Sequence, residues 1–164
     1  MKKYARIITP LGTLFATAAG GALTGLYFES GRHAPEISKA WVEDCAAAPL
    51  RECARQIAEY LDGKRRHFEL PLAPEGSDFQ RRVWLEIARI PYGQTRTYAE
   101  LARRAGAPRA ARAAGAATGR NPLSIIVPCH RVVGTDGSLT GYAGGIGRKT
   151  RLLEIEGALH TAMA

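Results

Sequence analysis

Residues 97–120 of the chain, TYAELARRAGAPRAARAAGAATGR, predict two short helices joined by a tight turn. Thr97 and Glu100 have the spacing of a capping box, which marks a helix start. Gly106 follows the last apolar residue of the first helix, where a glycine commonly ends one. Pro108 is expected to open the second helix, because proline is favoured in the first turn. The pair therefore indicates a helix-turn-helix.

The second of these helices is almost entirely alanine and glycine, apart from Arg109, Arg112 and Thr118. One interpretation is close packing between neighbours, which small side chains permit. The other is DNA binding, because the minor groove is about 6 Å wide and an ordinary helix is about 10–12 Å across. Few hydrogen-bond donors remain on this helix to read base edges, which favours binding to DNA of any sequence. Arg112 is long enough to fill the gap left by an extruded base; the alternative is a phosphate contact.

Positive charge is concentrated around this helix pair. The chain has 164 residues and a formal net charge of +8. Residues 81–120 contain nine arginines, no lysine and only two acidic residues, Glu86 and Glu100. Because arginine binds phosphate through two parallel hydrogen bonds, this distribution favours a nucleic-acid partner over a generally basic surface.

Upstream of the helix pair, residues 1–74 are expected to form an N-terminal α/β domain with a linker. Residues 2–29 contain three β-rich runs, and a Gly-Gly pair between two of them predicts a hairpin. Residues 31–48 are predicted to be irregular. An apolar stripe predicts a helix over 49–62, and HFELPL at 67–72 is a candidate strand.

Residues 75–164 are expected to form a mostly helical C-terminal domain that contains the helix-turn-helix. A capping box and an apolar stripe predict a helix over 77–90. Residues 121–133, NPLSIIVPCHRVV, are predicted to be a strand or an extended segment. The last helix is expected in RKTRLLEIEG, residues 148–157. The fold class predicted for the whole chain is therefore α+β.

The segment IIVPCHRVV places a cysteine beside a histidine inside an apolar run. Taken singly, Cys129 reads as a buried structural cysteine and His130 as a core histidine. Together, behind an arginine-rich helix pair, they indicate a nucleophile and its base. Burial would raise the pKa of Cys129, so a proton acceptor is needed. Adjacent side chains in an extended segment point to opposite faces, so a turn at Pro128 or a bridging water is required.

The other cysteines and histidines form no recognisable metal or disulfide pattern. Cys45, Cys53 and Cys129 have no C-x-x-C spacing, and the histidines have no H-x-x-H spacing. We therefore expect no metal site and a reducing compartment. No apolar run approaches the ~20 residues of a membrane span, and the N-terminus lacks the apolar core of a signal peptide. A cytoplasmic protein without a membrane partner is expected.

From Phe79 to Gly157 the sequence resembles the O6-alkylguanine-DNA alkyltransferases, the methylated-DNA–protein-cysteine methyltransferases. The likeness lies in FQRRVW, IPYGQTRTYAELA, ARAAG, NP, VPCHRV, GYAGG and LLEIEG. The N-terminal part resembles the ribonuclease-H-like domain of the bacterial members through weaker motifs. The resemblance implies a direct-reversal DNA repair protein that flips O6-alkylguanine, and also O4-alkylthymine, out of the duplex. The alkyl group passes irreversibly to the protein's own cysteine, in a single turnover and without a cofactor.

The resemblance also assigns site residues. Cys129 matches the acceptor, His130 the base, Glu156 the carboxylate that orients the histidine, and Asn121 the brace of the active-site turn. The substrate-binding matches are Tyr98, Tyr142, Ala143 and Ser124, and the DNA-binding matches are Arg112, Arg109, Thr97 and Ala111. Members of the family often have proline at the position of Ser124 and serine at that of Ala143. The expected partner is double-stranded DNA, bound through its minor groove by a monomer, and side-by-side binding of several molecules is left open.

Two other function classes compete with alkyl transfer. A DNA-binding module without catalysis, either a regulator or a lesion sensor, would use the helix pair alone. A regulator should prefer one DNA site, which the donor-poor helix does not favour. A thiol hydrolase would use the Cys-His pair, but it requires an oxyanion hole and repeated turnover.

Overall fold

A four-stranded sheet forms the base of the N-terminal half in this computed structural model, which describes residues 1–158. Its strands are β1 (Lys3–Thr9), β2 (Gly12–Ala19), β3 (Ala22–Phe28) and β4 (Val42–Glu43). The first three form an antiparallel meander, and β4 pairs in parallel with β1, so the order is β3-β2-β1-β4. Gly20 and Gly21 both have positive φ, as the predicted hairpin requires. The prediction of irregular structure over 31–48 missed the two residues of β4.

Helix α1 (Ala48–Leu61) packs against this sheet with the predicted apolar stripe. Its buried residues are Leu50, Cys53, Gln56, Ile57 and Tyr60. The predicted strand over 67–72 is wrong: only Leu72 bridges to Leu23. Pro71 has no N–H to donate to a ladder, and the backbone of Glu69 pairs instead with the Gln56 side chain.

The C-terminal half is mostly helical. Its elements are α2 (Asp78–Ala88), β5 (Arg96–Thr97), α3 (Tyr98–Arg104), α4 (Ala111–Gly119), β6 (Val132–Val133) and α5 (Ile146–Ile155). Capping boxes begin α2 and α3, at Ser77 and Thr97, as predicted. Strands β5 and β6 pair in parallel and connect the start of α3 to the segment after Cys129. The predicted α+β fold class is confirmed.

Two predictions about this half are wrong. Pro108 does not open α4, because the chain turns first: the N–H of Ala110 donates to the carbonyl of Ala107, with Pro108 inside that turn. Residues 121–133 are not a strand up to β6. They form a series of tight turns, because side-chain and backbone hydrogen bonds within the segment replace a ladder.

The two halves share one apolar core, to which the sheet, α1 and the C-terminal helices all contribute. They also pair through their backbones: Leu26 of β3 donates to the Pro122 carbonyl (2.7 Å) and accepts from the Ser124 N–H (3.0 Å). The N-terminal sheet therefore supports the segment that leads to Cys129. No helix within residues 1–158 is long and apolar enough to cross a membrane. Residues 159–164, the end of the predicted second domain, lie outside the described part.

Candidate active site

A series of tight turns presents Cys129. The Cys129 N–H donates to the Val127 carbonyl at 2.7 Å, around Pro128 with φ −81° and ψ 66°, which is an inverse γ-turn. A 3₁₀ turn over Cys129–Arg131 follows at once. The turn at Pro128, one of the two alternatives that the sequence left open, is therefore present. Ile125, three residues upstream of Pro128, has a φ of 72°, which a β-branched residue rarely adopts.

Asn121 holds this strained segment in place. Its Oδ1 accepts from the Leu123 N–H at 2.9 Å, and its Nδ2 donates to the Val127 carbonyl at 2.8 Å. The same Nδ2 lies 3.2 Å from the Cys129 Sγ. An N–H aimed at the sulfur favours the thiolate over the thiol. Asn121 is thus both the brace of the turn and a hydrogen-bond donor to the nucleophile.

The Glu156 carboxylate is the centre of a buried polar cluster. Its Oε2 lies 2.8 Å from His130 Nε2 and accepts from the Tyr60 hydroxyl at 2.5 Å. Arg131 donates from Nε to Oε1 and from a terminal guanidinium nitrogen to Oε2, both at 2.8 Å. Burial alone would raise the pKa of Glu156, but the hydrogen bonds from His130 and Arg131 outweigh it and lower the pKa to about 2. The carboxylate is therefore ionised at neutral pH.

This ionised carboxylate determines which His130 nitrogen can act as a base. A carboxylate only accepts hydrogen bonds, so the His130 proton must lie on Nε2. Nδ1 then carries the free lone pair, and it is buried without a hydrogen-bond partner among residues 1–158. Nδ1 is thus the nitrogen that can take up a proton.

Burial disfavours the charged forms of both catalytic candidates, the Cys129 thiolate and the His130 imidazolium. It raises the pKa of the Cys129 thiol, despite the Asn121 hydrogen bond and the positive charge of Lys149. It lowers the pKa of His130, despite the Glu156 carboxylate. The pair therefore rests as a thiol and a neutral imidazole at neutral pH. The direction expected for the cysteine from its apolar surroundings is confirmed.

Three buried residues with polar groups near the site were missed in the sequence: Arg131, which binds Glu156, and the helical residues Tyr60 and Lys149. Tyr60 belongs to the apolar stripe of α1, and a buried tyrosine hydroxyl usually finds a partner. Lys149 lies three residues before Leu152, inside the apolar stripe of α5, and is completely buried. Its Nζ donates to the carbonyls of Val132 (2.5 Å) and Thr140 (2.8 Å), and burial lowers its pKa to about 8. A polar residue within a helical apolar stripe was the available signal for both helical residues.

Two of the four substrate-binding candidates, Tyr98 and Tyr142, lie near the Cys129 sulfur. The Tyr142 ring is buried and lies 6.4 Å from the His130 ring, edge-on. Burial, and after it the nearby Cys129, raise the pKa of Tyr98, whose hydroxyl donates to the Thr140 carbonyl at 3.1 Å. Ser124 is buried. Ala143 follows Tyr142 in the loop before α5.

The DNA-binding candidates lie on the helix pair. Arg112 is exposed on α4, and Arg109 is exposed in the turn before it. Ala111 is the first residue of α4. The Thr97 hydroxyl is occupied by the cap of α3, where it accepts from the Glu100 N–H.

The alanine-rich helix α4 has a buried face, which fits the close-packing interpretation, and an exposed face, for which DNA binding stays a prediction. Ala114 and Ala117 are buried, and the Ala117 carbonyl accepts from the Trp84 indole at 2.8 Å. Ala113 and Ala116 are exposed on the other side. Within residues 1–158, no group of three or more His, Cys, Asp or Glu side chains is placed to hold a metal ion.

Comparisons with known proteins cover both halves of the chain. Residues 78–158 match the family model described as 6-O-methylguanine DNA methyltransferase, DNA binding domain. Residues 2–74 match 6-O-methylguanine DNA methyltransferase, ribonuclease-like domain.

Individual relatives agree with the family models. The chain is 48% identical to the methylated-DNA–protein-cysteine methyltransferase of Methanosarcina barkeri, over 93% of this chain and 96% of that protein. It is 45% identical to that of Mycobacterium tuberculosis, over 95% of this chain and 93% of the other. The crystal structure of Mycobacterium tuberculosis OGT in complex with DNA has a TM-score of 0.86 and 43% identity, with 95% of this chain and 93% of that chain covered.

Proposed function

The chain belongs to the 6-O-methylguanine DNA methyltransferase family, whose members repair DNA by alkyl transfer, and we propose that Cys129 accepts the alkyl group. The observation that carries this proposal is the buried cluster of Cys129, His130 and Glu156, with Asn121 beside the sulfur. We also propose that the chain consists of an N-terminal unit, residues 1–74, and a C-terminal unit, residues 75–164.

The reaction is a displacement at the carbon bound to O6 of guanine. His130 Nδ1 takes the thiol proton of Cys129 through one bridging water, and the sulfur attacks the alkyl carbon. The S–C bond forms as the C–O6 bond breaks, and the bonding electron pair goes to O6. Guanine takes a proton from solvent, and the imidazolium releases its own, so nothing is oxidised or reduced. No cofactor is needed.

The polar cluster lowers the barrier of this step. Because the thiol and the imidazole rest uncharged, attack creates an imidazolium in a buried site. The ionised Glu156 stabilises that charge at 2.8 Å. The negative charge that develops on O6 needs donors. The Ala143 N–H supplies one, and the Tyr98 hydroxyl supplies a second when it turns from the Thr140 carbonyl to O6. Tyr142 forms a wall of the pocket, and Ser124 sets the room for the alkyl group.

DNA is bound through α4. Its exposed alanines make it slim enough for the minor groove, and Arg112 occupies the gap that the flipped nucleotide leaves. Arg109, Ala111 and Thr97 flank this contact. Mycobacterium tuberculosis OGT, which superposes over 95% of this chain, was crystallised in complex with DNA, which supports the proposal. The protein acts as a monomer, and O4-alkylthymine is a second substrate because it presents the same kind of O-alkyl carbon.

The thioether that forms on Cys129 is stable, so each molecule reacts once. The test is incubation of reduced protein with duplex DNA that contains O6-methylguanine, followed by mass spectrometry of the tryptic peptides. One methyl group per protein is expected on the peptide that contains Cys129.

Two variants distinguish the cysteine that accepts the alkyl group from a cysteine that does not. Cys129→Ala should lose transfer and keep DNA binding. Cys45→Ala removes the exposed cysteine and should transfer normally. Methylation of another peptide, or release of methyl beyond one equivalent as a hydrolase would give, contradicts the proposal.

A further inference from the structure

A cavity of about 320 Å³ lies beside the candidate active site, on the outer side of α4. Both halves of the chain line it: its residues are Arg32, His33, Gly115, Ala116, Gly119, Arg120, Gly141 and Ala143. We call it the Arg32–Arg120 pocket. It shares only Ala143 with the residues assigned to the alkylated base.

The loop that brings Arg32 to this pocket is fixed by backbone contacts. The Arg32 N–H donates to the Ala143 carbonyl at 2.8 Å. A Cβ on Gly31 would lie 3.1 Å from the Phe28 carbonyl oxygen and 3.2 Å from that of Ala143, so only glycine fits without a shift. His33 has a φ of 64°, in the left-handed region. The N-terminal half therefore holds two basic side chains against the active-site loop.

The charged side chains that line the pocket are all positive. Its lining contains two arginines and a histidine, and no carboxylate. Within residues 1–158, the side chains of Arg32 and Arg120 make no ion pair. The remaining lining is glycine and alanine, which leaves room for a ligand to approach closely. Two arginines at one open cavity are suited to bind an oxyanion through several N–H groups.

We propose that the Arg32–Arg120 pocket binds a backbone phosphate of the DNA, next to the nucleotide that is flipped out. This inference rests on the proposed function. Arg112 lies in the first turn of α4, and Arg120 directly follows its last residue, so eight residues, about 12 Å along a helix axis, separate them. The minor groove is only about 6 Å wide. When α4 lies across the groove with Arg112 inside it, Arg120 therefore extends past the edge of the groove to the phosphate backbone. Arg32 reaches the same phosphate from the other side of the pocket.

The test measures the salt dependence of DNA binding. Affinity for a duplex with O6-methylguanine is measured by fluorescence anisotropy from low to physiological salt, on the Cys129→Ala background so that no transfer occurs. Each phosphate contact contributes about 0.9 to the slope of log K against log salt. Arg32→Ala/Arg120→Ala should lower this slope by about 1 to 2 and weaken low-salt binding by tenfold or more.

A matched control variant removes two positive charges from positions outside the pocket. Arg51→Ala/Lys64→Ala changes two exposed residues that do not line the pocket, and its slope should stay within about 0.5 of the parent, since it removes no phosphate contact. If the pocket variant does not fold, the single variant Arg120→Gln should still lower the slope by about 1.

A pocket variant with the parental slope, or a control with an equal loss, overturns the inference. Failure of the proposed function gives a different result. In that case the wild-type protein transfers no methyl group to Cys129, whatever the slopes are.

Discussion

At the residue scale, Glu156 connects parts of the chain that are far apart in sequence. It accepts hydrogen bonds from Tyr60 of α1 and from His130 and Arg131 of the active-site turn. The pairing of Glu156 with His130 was expected from the family resemblance. The contact with Tyr60 was not, because no periodicity relates residues 96 positions apart.

The low pKa of Glu156 predicts how stability depends on pH. The pKa is about 2 in the folded protein, against an ordinary value of 4.5. The unfolded state therefore binds more protons between these values, and stability falls as pH drops through this window. Glu156 should contribute about 3 kcal/mol to that fall. Urea unfolding at pH 2 to 5 should show a flatter pH dependence for Glu156→Gln. Glu154→Gln on α5 is the control and should keep the wild-type dependence.

The Tyr60 hydroxyl should be coupled energetically to the Glu156 carboxylate, because a buried hydrogen bond to a charged group contributes about 1.5–3 kcal/mol. A double-mutant cycle with Tyr60→Phe and Glu156→Gln should give a coupling free energy of about 1 kcal/mol or more from urea unfolding at neutral pH. The control cycle pairs Tyr60→Phe with Glu154→Gln. Equal coupling in both cycles would mean that the hydrogen bond contributes nothing specific.

At the element scale, α4 has a buried face and an exposed face, and both are made of small residues. Small buried residues let α2 and α3 approach it, and small exposed residues leave it slim. The sequence predicted this helix correctly, since its composition is a local signal. It placed the start at Pro108 instead of Ala111, because a proline that suits a helix start suits a turn equally well.

A bulky side chain on the outer face of α4 should block DNA without harming the fold. Ala113→Leu changes an exposed position, and leucine is a good helix former. Thermal unfolding should be unchanged or slightly raised, while affinity for duplex DNA falls about tenfold or more, since the widened helix no longer fits a groove of about 6 Å. The control Ala48→Leu, exposed on α1, should bind DNA normally. Wild-type affinity for Ala113→Leu would exclude the outer face of α4 from the groove.

At the scale of the whole molecule, the two halves share a core and should unfold together. Each half contains one tryptophan: Trp41 lies beside Tyr4, and Trp84 lies in α2. The variants Trp41→Phe and Trp84→Phe therefore each report one half by fluorescence. In each variant the fluorescence and circular dichroism transitions in urea should coincide. Separate midpoints within one variant would show that the halves unfold independently.

Local patterns in the sequence determined most elements of this protein: the hairpin strands, the capped helices, the α+β class and the adjacent Cys129 and His130. Each depends on residues a few positions apart, where propensity and capping chemistry act directly. Tertiary structure alone decided the left-handed backbone of Ile125, the four hydrogen bonds that fix Glu156, the burial of Lys149 and the placement of Arg32 and Arg120 at one pocket. These depend on the packing of the N-terminal sheet against the active-site segment. Contacts between residues that are far apart in the sequence produce no periodic pattern of residue types along the chain.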